Sequence, residues 1–181
     1  MRPARSGRLL LGAIAAAAIS ASFLLMRSRA VVVISPGAAA PRFVASTLDS
    51  LPVQRSLDDY AGHPVLLNVW ATWCDPCREE MPSLETLYSD YRQGGLRIVA
   101  ISIDDAGNES LIREFAQENR LSFDILHDPN GRIMSLYQVR GVPQTFLIAR
   151  DRRIIATRFA ADWSSDASRA LVDSLMRAGG P

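Results

Sequence analysis

The feature that most restricts the fold is a cysteine pair at the boundary between an apolar strand and a helix. Val65 to Trp70 is an apolar run of strand length with β-branched and aromatic members, which predicts a buried strand. Cys74 and Cys77, the only cysteines of the chain, follow within a few residues. From Asp75 to Gln93 apolar residues recur at helical spacing, and Gly94-Gly95 supplies a helix stop. The first cysteine therefore follows a buried strand, and the second lies in the opening turn of a helix.

This placement favours thiol chemistry. Cys74 is expected where unpaired backbone N–H groups and the positive end of the helix dipole stabilise a thiolate, which is the nucleophilic form. Cys77 lies three positions on, on the same side of the helix, within bridging reach and less exposed. Pro76 fits the first turn, where a missing N–H costs little. Because a bridge closing so short a loop adds little stability, a redox-active disulfide explains the pair better than a structural one.

Strands and helices alternate along most of the remaining chain. A strand is predicted at Leu96–Ile103, followed by a helix for which Asn108 is a candidate N-cap. The other predicted elements are a hairpin of Phe43–Leu48 and Leu51–Leu57, strands at Phe123–Leu126, Thr145–Ala149 and Ile154–Phe159, and helices at Gly131–Tyr137 and Ser165–Arg177. This order predicts an α/β domain with a mixed sheet flanked by helices.

The N-terminal segment indicates export. Arginines at three of the first eight positions precede an uncharged, mostly apolar run from Leu9 to Met26, which is typical of an export signal and long enough to cross a bilayer. Large apolar residues directly after Ser20-Ala21-Ser22 favour an anchor that is not cleaved. We predict a signal anchor or signal peptide at residues 1–29, a linker at 30–41 and one domain at 42–181.

Two strings resemble the TlpA/ResA-like thioredoxin family of membrane-anchored or periplasmic thiol oxidoreductases. Asn68 to Pro82, NVWATWCDPCREEMP, resembles the family's active site, and Gly141 to Ile148, GVPQTFLI, resembles its cis-proline loop and following strand. Phe43 with Leu57 to Gly62 resembles the family's N-terminal segment. The resemblance covers residues 41 to 178 and implies a thioredoxin-like fold with an N-terminal β-hairpin extension. The turn Arg150 to Arg153 departs from it, because many members carry Gly there.

The resemblance also implies roles for individual residues. Pro143 should be cis and stacked against the disulfide. The backbone edge at Val142 could pair with a substrate peptide as a short added strand, and Trp73 should cover one side of Cys74. The predicted catalytic residues are Cys74, Cys77, Glu80 and Pro143, and the predicted substrate-binding residues are Trp73, Asp75, Pro76 and Val142.

Glu80 is the carboxyl that matters most in this prediction. It lies three positions after Cys77 and so tends to the same helix face, while Glu79 turns away. The family places a partly buried Glu here, and such a carboxyl can accept the proton of the resolving thiol. Burial would raise its pKa toward the useful range. The alternative is a solvated carboxylate favoured by the helix dipole.

The resulting hypothesis is a thiol–disulfide oxidoreductase with no cofactor beyond the Cys74–Cys77 disulfide. Carboxylates at Asp75 and Glu80 disfavour a thiolate and so predict a reductant of protein disulfides, for example in cytochrome c maturation or copper-centre assembly. The expected partners are disulfide-containing envelope proteins, a membrane thiol electron carrier and the membrane itself, on the periplasmic side. A net charge of +1 without a basic stripe gives no reason to invoke nucleic acid.

Other uses of the cysteines receive less support. A periplasmic copper metallochaperone could bind Cu(I) through the two thiolates, but Met81 is the only further soft ligand nearby, and it fits the core stripe. His63 and His127 show no paired spacing for zinc and are expected to be ordinary loop or strand-end residues. A peroxiredoxin would carry a proline upstream of a Thr-x-x-Cys motif, which is absent. Asp104-Asp105 resembles a cation site, but a solvated loop is the predicted interpretation.

Overall fold

The computed structural model describes residues 34–179, and the predicted signal anchor or signal peptide at 1–29 lies outside them. The strands are β1 Val44–Thr47, β2 Gln54–Ser56, β3 Val65–Trp70, β4 Arg97–Ser102, β5 Asp124–His127, β6 Gln144–Ile148 and β7 Ile154–Phe159. The α-helices are α1 Asp75–Tyr91, α2 Glu109–Glu118, α3 Arg132–Leu136 and α4 Asp166–Arg177, and short 3₁₀ helices span Leu57–Tyr60 and Arg92–Gly94. Within residues 34–179, none of the helices is both long and apolar enough to cross a membrane.

The seven strands form one mixed sheet, which confirms the predicted architecture. Their order is β2-β1-β5-β4-β3-β6-β7. Strands β3, β4 and β5 run parallel, whereas β6 and β7 are antiparallel to their neighbours and β1 pairs antiparallel with both β2 and β5. The predicted N-terminal hairpin is thus β1–β2, at the edge of the sheet. The cysteine-bearing segment follows β3, which lies inside the sheet between β4 and β6.

Strand β3 and helix α1 form the centre of the domain. All six residues of β3 are buried, because neighbouring strands cover both edges and cores cover both faces. Helix α1 buries Met81, Leu84 and Leu87 at helical spacing against one face of the sheet. The close packing of β3 and α1 fixes the loop between them, where Cys74 lies.

Part of the predicted linker is paired with the sheet. Gly37 and Ala40 donate backbone hydrogen bonds to the carbonyls of Ile154 and Arg152, at 2.7 Å and 2.8 Å. Ala40 is also buried against the core beneath α3. The packed region therefore starts before residue 42.

The end of α1 and the start of α2 can each be compared with the sequence prediction. Helix α1 ends near the predicted glycines, and Gly95 adopts the left-handed region at φ +98°, which glycine tolerates best. Asn108 is the N-cap residue of α2, as predicted, but its side chain makes no capping hydrogen bond. The Glu109 carboxylate instead accepts a bond from the backbone N–H of Gly107 at 3.2 Å.

The turn from Arg150 to Arg153, where many family members carry Gly, has a backbone conformation that glycine adopts most easily. Arg152 has φ +65°, in the left-handed region that costs most residues energy. Its N–H closes the turn on the carbonyl of Ala149 at 2.8 Å, and its guanidinium forms an ion pair with Asp58. The ion pair gives the arginine a contact that a glycine would lack.

Candidate active site

The two cysteines are joined as a disulfide at the N-terminus of α1. The S–S distance is 2.03 Å and the Cα atoms lie 5.2 Å apart. Cys74 is the N-cap residue, and its Sγ accepts a hydrogen bond from the backbone N–H of Cys77 at 3.2 Å. Cys74 is 6% exposed and Cys77 is 0% exposed, which confirms that the second cysteine is the more buried. An anion on Cys74 would be stabilised by this N–H and by the helix dipole.

The proline loop meets the disulfide from the other side. The Val142–Pro143 peptide bond is cis, as expected from the resemblance. The carbonyl oxygen of Val142 lies 3.5 Å from the Sγ of Cys74, and Pro143 is buried. Gln144 then begins β6 and pairs with Val69 of β3. The antiparallel pairing of β6 with β3 therefore places the loop beside Cys74.

The predicted substrate-binding residues form an accessible rim around this sulfur. Trp73 is 65% exposed, Asp75 and Pro76 are exposed, and Val142 is half-buried. A large aromatic side chain that remains in solvent is available to a partner. Their role in substrate binding, and the covering of Cys74 by Trp73, stay predictions.

Glu80 is buried on the face of α1 that points to β3, whereas Glu79 is exposed. It is 6% exposed, so the alternative of a solvated carboxylate is wrong. Its Oε1 accepts a hydrogen bond from Asn68 Nδ2 at 2.7 Å, and its Oε2 accepts one from the backbone N–H of Ala161 at 3.2 Å. Burial raises the pKa of Glu80 to about 7, although these donors oppose the shift.

A cavity beside Glu80 gives its carboxyl a connection toward solvent. The cavity has a volume of about 260 Å³ and is lined by Pro76, Glu79, Glu80, Ser83, Ala160, Ala161 and Asp162. Several of these residues are exposed, so the cavity opens outward. A group with a pKa near neutrality at such a place suits proton exchange.

Asp104 differs from the solvated loop residue that the sequence suggested. Its carboxylate is fully buried and accepts hydrogen bonds from the hydroxyls of Thr72 and Ser102, at 2.5 Å and 2.6 Å. It also accepts the backbone N–H of Thr72 at 3.0 Å. The prediction is wrong for Asp104 because these donors replace water, whereas the neighbouring Asp105 is exposed as expected. Asp104 thereby fixes the loop two residues before Cys74.

Each of the two histidines forms a hydrogen bond with a backbone carbonyl. His127 ends β5, as expected, and its Nε2 lies 2.8 Å from the backbone carbonyl of Asp104. His63 lies in the loop before β3, with its Nδ1 3.0 Å from the carbonyl of Gly95. Among residues 34–179 no three His, Cys, Asp or Glu side chains come together as a metal-binding group.

Two hydrogen-bond donors to Glu80, the side chain of Asn68 and the backbone N–H of Ala161, were not singled out from the sequence. Asn68 is fully buried in β3 and also donates to Thr145 Oγ1 of β6, at 2.9 Å. A single polar residue in the run VLLNVW was the available signal, because a buried amide needs partners. The Ala161 N–H could not be predicted from the sequence, because a backbone donor does not depend on the type of residue that carries it.

Comparisons with known proteins agree with this geometry. The AhpC/TSA family matches residues 36–157. The thiol-disulfide oxidoreductase ResA of Oceanobacillus iheyensis is 42% identical over 116 residues, which are 62% of this chain and 58% of the relative. The ResA of Bacillus thuringiensis subsp. konkukian is 35% identical over 119 residues, 66% of each chain. The chain thus matches somewhat less than two thirds of the length of these relatives.

Solved structures share the fold. A Chlorobium tepidum protein described as thiol:disulfide interchange protein DsbE has a TM-score of 0.71 and 26% identity, covering 80% of this chain and 99% of the other. StoA from Bacillus subtilis has a TM-score of 0.55 and 23% identity, covering 71% and 90%. The second likeness shows the fold alone. The thioredoxin-like α/β fold expected from the sequence is confirmed.

Proposed function

Because the chain belongs to the AhpC/TSA family, we propose that it is a thiol–disulfide oxidoreductase of the ResA/DsbE type. The observation that carries the proposal is the Cys74–Cys77 disulfide at the N-terminus of α1, with the Val142 carbonyl beside the outer sulfur. A sulfur at a helix N-terminus that is slightly exposed, paired with one that is fully buried, gives an attacking and a resolving group.

The first step is the attack of the reduced protein on a substrate disulfide. The Cys74 thiolate forms a bond to one substrate sulfur, and the substrate S–S bond breaks. The released substrate thiolate takes a proton from solvent. The N–H of Cys77 and the dipole of α1 stabilise the attacking anion before the step.

The second step resolves the mixed disulfide. The Cys77 thiol gives its proton to the Glu80 carboxylate, and the resulting thiolate attacks Cys74 Sγ. The bond from Cys74 to the substrate breaks, and the second substrate sulfur leaves as a thiolate and takes a proton from solvent. Two electrons pass to the substrate, which becomes a dithiol, and the protein is left as the disulfide. The proton leaves Glu80 through the adjoining cavity.

Substrate recognition is assigned to the rim around Cys74. An extended peptide beside Val142 would pair with the loop edge, and its side chains would meet Trp73 and Pro76. The exposure of these groups supports the assignment. Asp75 adds a carboxylate next to the sulfur.

The proposed direction is reduction of protein disulfides in the cell envelope. A carboxylate at Asp75 and another at Glu80 disfavour the thiolate form and so make the dithiol a better reductant. The proposed substrates are disulfide-containing envelope proteins, as in cytochrome c maturation or copper-centre assembly. A membrane thiol electron carrier would re-reduce the protein, and residues 1–29 would anchor it on the periplasmic side of the membrane.

The test is disulfide exchange with a defined probe. The reduced protein is mixed with a peptide containing one disulfide, and the peptide dithiol is quantified by mass spectrometry. We expect stoichiometric reduction by the native chain and none by the Cys74→Ser variant. Tight Cu(I) binding by the reduced protein, with no reduction of the peptide, would contradict the proposal and favour the copper metallochaperone.

A further inference from the structure

Asn68 is a fully buried residue whose side-chain hydrogen bonds are all donated by its amide nitrogen. Its Nδ2 donates to Glu80 Oε1 at 2.7 Å and to Thr145 Oγ1 at 2.9 Å. Its Oδ1 has no hydrogen-bond partner among residues 34–179. A buried acceptor without a partner is unfavourable, so this orientation of the amide must be favoured by its other end.

An ionised Glu80 fits this orientation of the amide. A carboxylate has only acceptor atoms, so an amide beside it must present its N–H₂ group. If the amide turned over, Oδ1 would face Glu80 Oε1 at hydrogen-bonding distance and the two oxygens would repel. Thr145 accepts the second N–H and thereby helps to hold the amide in place.

We propose that Asn68 is a positioning residue that holds Glu80 as a carboxylate with Oε1 fixed toward β3. The inference rests on the proposed function, because it concerns the group that accepts the proton of Cys77. Asn68 is proposed to contact neither the substrate nor the reacting sulfurs. It acts through Glu80 alone.

The other groups around Glu80 do not replace this bond. The Ala161 N–H contacts the second oxygen, Oε2, at 3.2 Å, whereas the indole Nε1 of Trp163, which also favours a lower pKa of Glu80, makes no hydrogen bond within residues 34–179. The charged groups that line the adjoining cavity are Glu79 and Asp162, both carboxylates. Neither carboxylate can donate a bond to an ionised Glu80, and within residues 34–179 the hydrogen bond to Oε1 comes from the Asn68 amide.

Loss of the Asn68 amide should raise the pKa of Glu80. A hydrogen bond to the ionised form lowers the pKa of a carboxyl. Without it Glu80 binds its proton more tightly, and the carboxylate forms only at higher pH. Resolution of the mixed disulfide would then need a higher pH as well.

The test follows the carboxyl carbon of Glu80 by NMR during a pH titration of the oxidised full chain. The Asn68→Leu and Asn68→Ala variants both remove the donor, the first with little change of volume. We expect both to move the midpoint upward by about one pH unit or more. A midpoint that stays in place or moves downward in a folded variant would overturn the proposal.

Two controls separate positioning from general disturbance. Thr145→Val removes a buried hydroxyl but keeps the donor to Glu80, so its midpoint should move clearly less than in the Asn68 variants. In the Glu80→Gln background, adding Asn68→Leu should leave the pH profile of resolution unchanged. An equal shift in Thr145→Val, or an added pH effect in the double variant, would contradict the proposal. The carboxyl titration needs no substrate, so it remains readable even if disulfide exchange, and with it the proposed function, fails.

Discussion

Replacing Cys77 with Ala should stop the reaction at a mixed disulfide between Cys74 and the substrate. The variant retains the outer sulfur, which attacks first, but lacks the sulfur that releases the substrate. We expect nearly all of the variant to carry substrate after mixing with an excess of disulfide peptide. Non-reducing electrophoresis and intact-mass spectrometry measure this adduct, which the native chain releases.

The matched control is Cys74→Ala, which retains only the buried sulfur. Cys77 is 0% exposed, so this variant should form little or no adduct. If Cys77→Ala accumulated no adduct, or if the Cys74 variant formed it equally well, the assigned order of attack would be wrong.

Replacing Glu80 with Gln should slow resolution by about 10²-fold near pH 8, because the amide cannot accept the thiol proton. In the native chain the rate should rise as pH increases through about 7, the pKa of Glu80, since only the carboxylate accepts a proton. The variant should lack this inflection. Rapid-quench mixing of the preformed mixed disulfide across pH 5–9 measures the profile, and an unchanged profile would contradict the role of Glu80.

Although Glu80→Gln should slow resolution, it should make the folded chain more stable at pH 8. Burial raises the pKa of Glu80 from 4.5 to about 7, so the folded chain binds this proton more tightly than the unfolded chain. The contribution of Glu80 to the free energy of unfolding therefore falls as pH rises from 4.5 through 7, by about 3 kcal/mol in total. Because Gln stays neutral, the variant should match the native chain near pH 4.5 and be the more stable one at pH 8. Urea unfolding of the oxidised proteins measures the difference.

Glu79→Gln is the control for both measurements. Glu79 is the neighbouring carboxyl on α1 but is exposed. Its removal should leave the inflection of the rate and the pH dependence of stability close to native. A change equal to that of Glu80→Gln would show that charge at the start of the helix, and not the buried carboxyl, is responsible.

The central chemistry could be predicted because it depends on local sequence. An apolar strand, a Cys-x-x-Cys motif and an amphipathic helix place one sulfur at a helix N-terminus and the other in its first turn. The three-residue spacing from Cys77 also predicted that Glu80, and not Glu79, faces inward. These features need only the periodicity of a helix.

The hydrogen-bond partners of Glu80 could not be predicted without the fold. The Ala161 N–H lies 81 positions along the chain from Glu80, and Thr145 lies 77 positions from Asn68. Such contacts depend on how β6 and the segment after β7 pack against β3 and α1. Asp104 was predicted to face solvent for a related reason, since Thr72, which donates to its carboxylate through both its hydroxyl and its backbone N–H, lies 32 positions away along the chain. Side-chain polarity alone does not indicate whether such partners exist.

The most direct test of the central claim is the reduction potential of the Cys74–Cys77 pair. The full chain is equilibrated in thiol redox buffers, and the fraction of disulfide is measured after rapid alkylation. We expect a potential near or below that of thioredoxin, about −270 mV, as suits a reductant of envelope disulfides. A potential near about −120 mV, as in a strong oxidant, would contradict the argument from Asp75 and Glu80 and make the protein a disulfide donor.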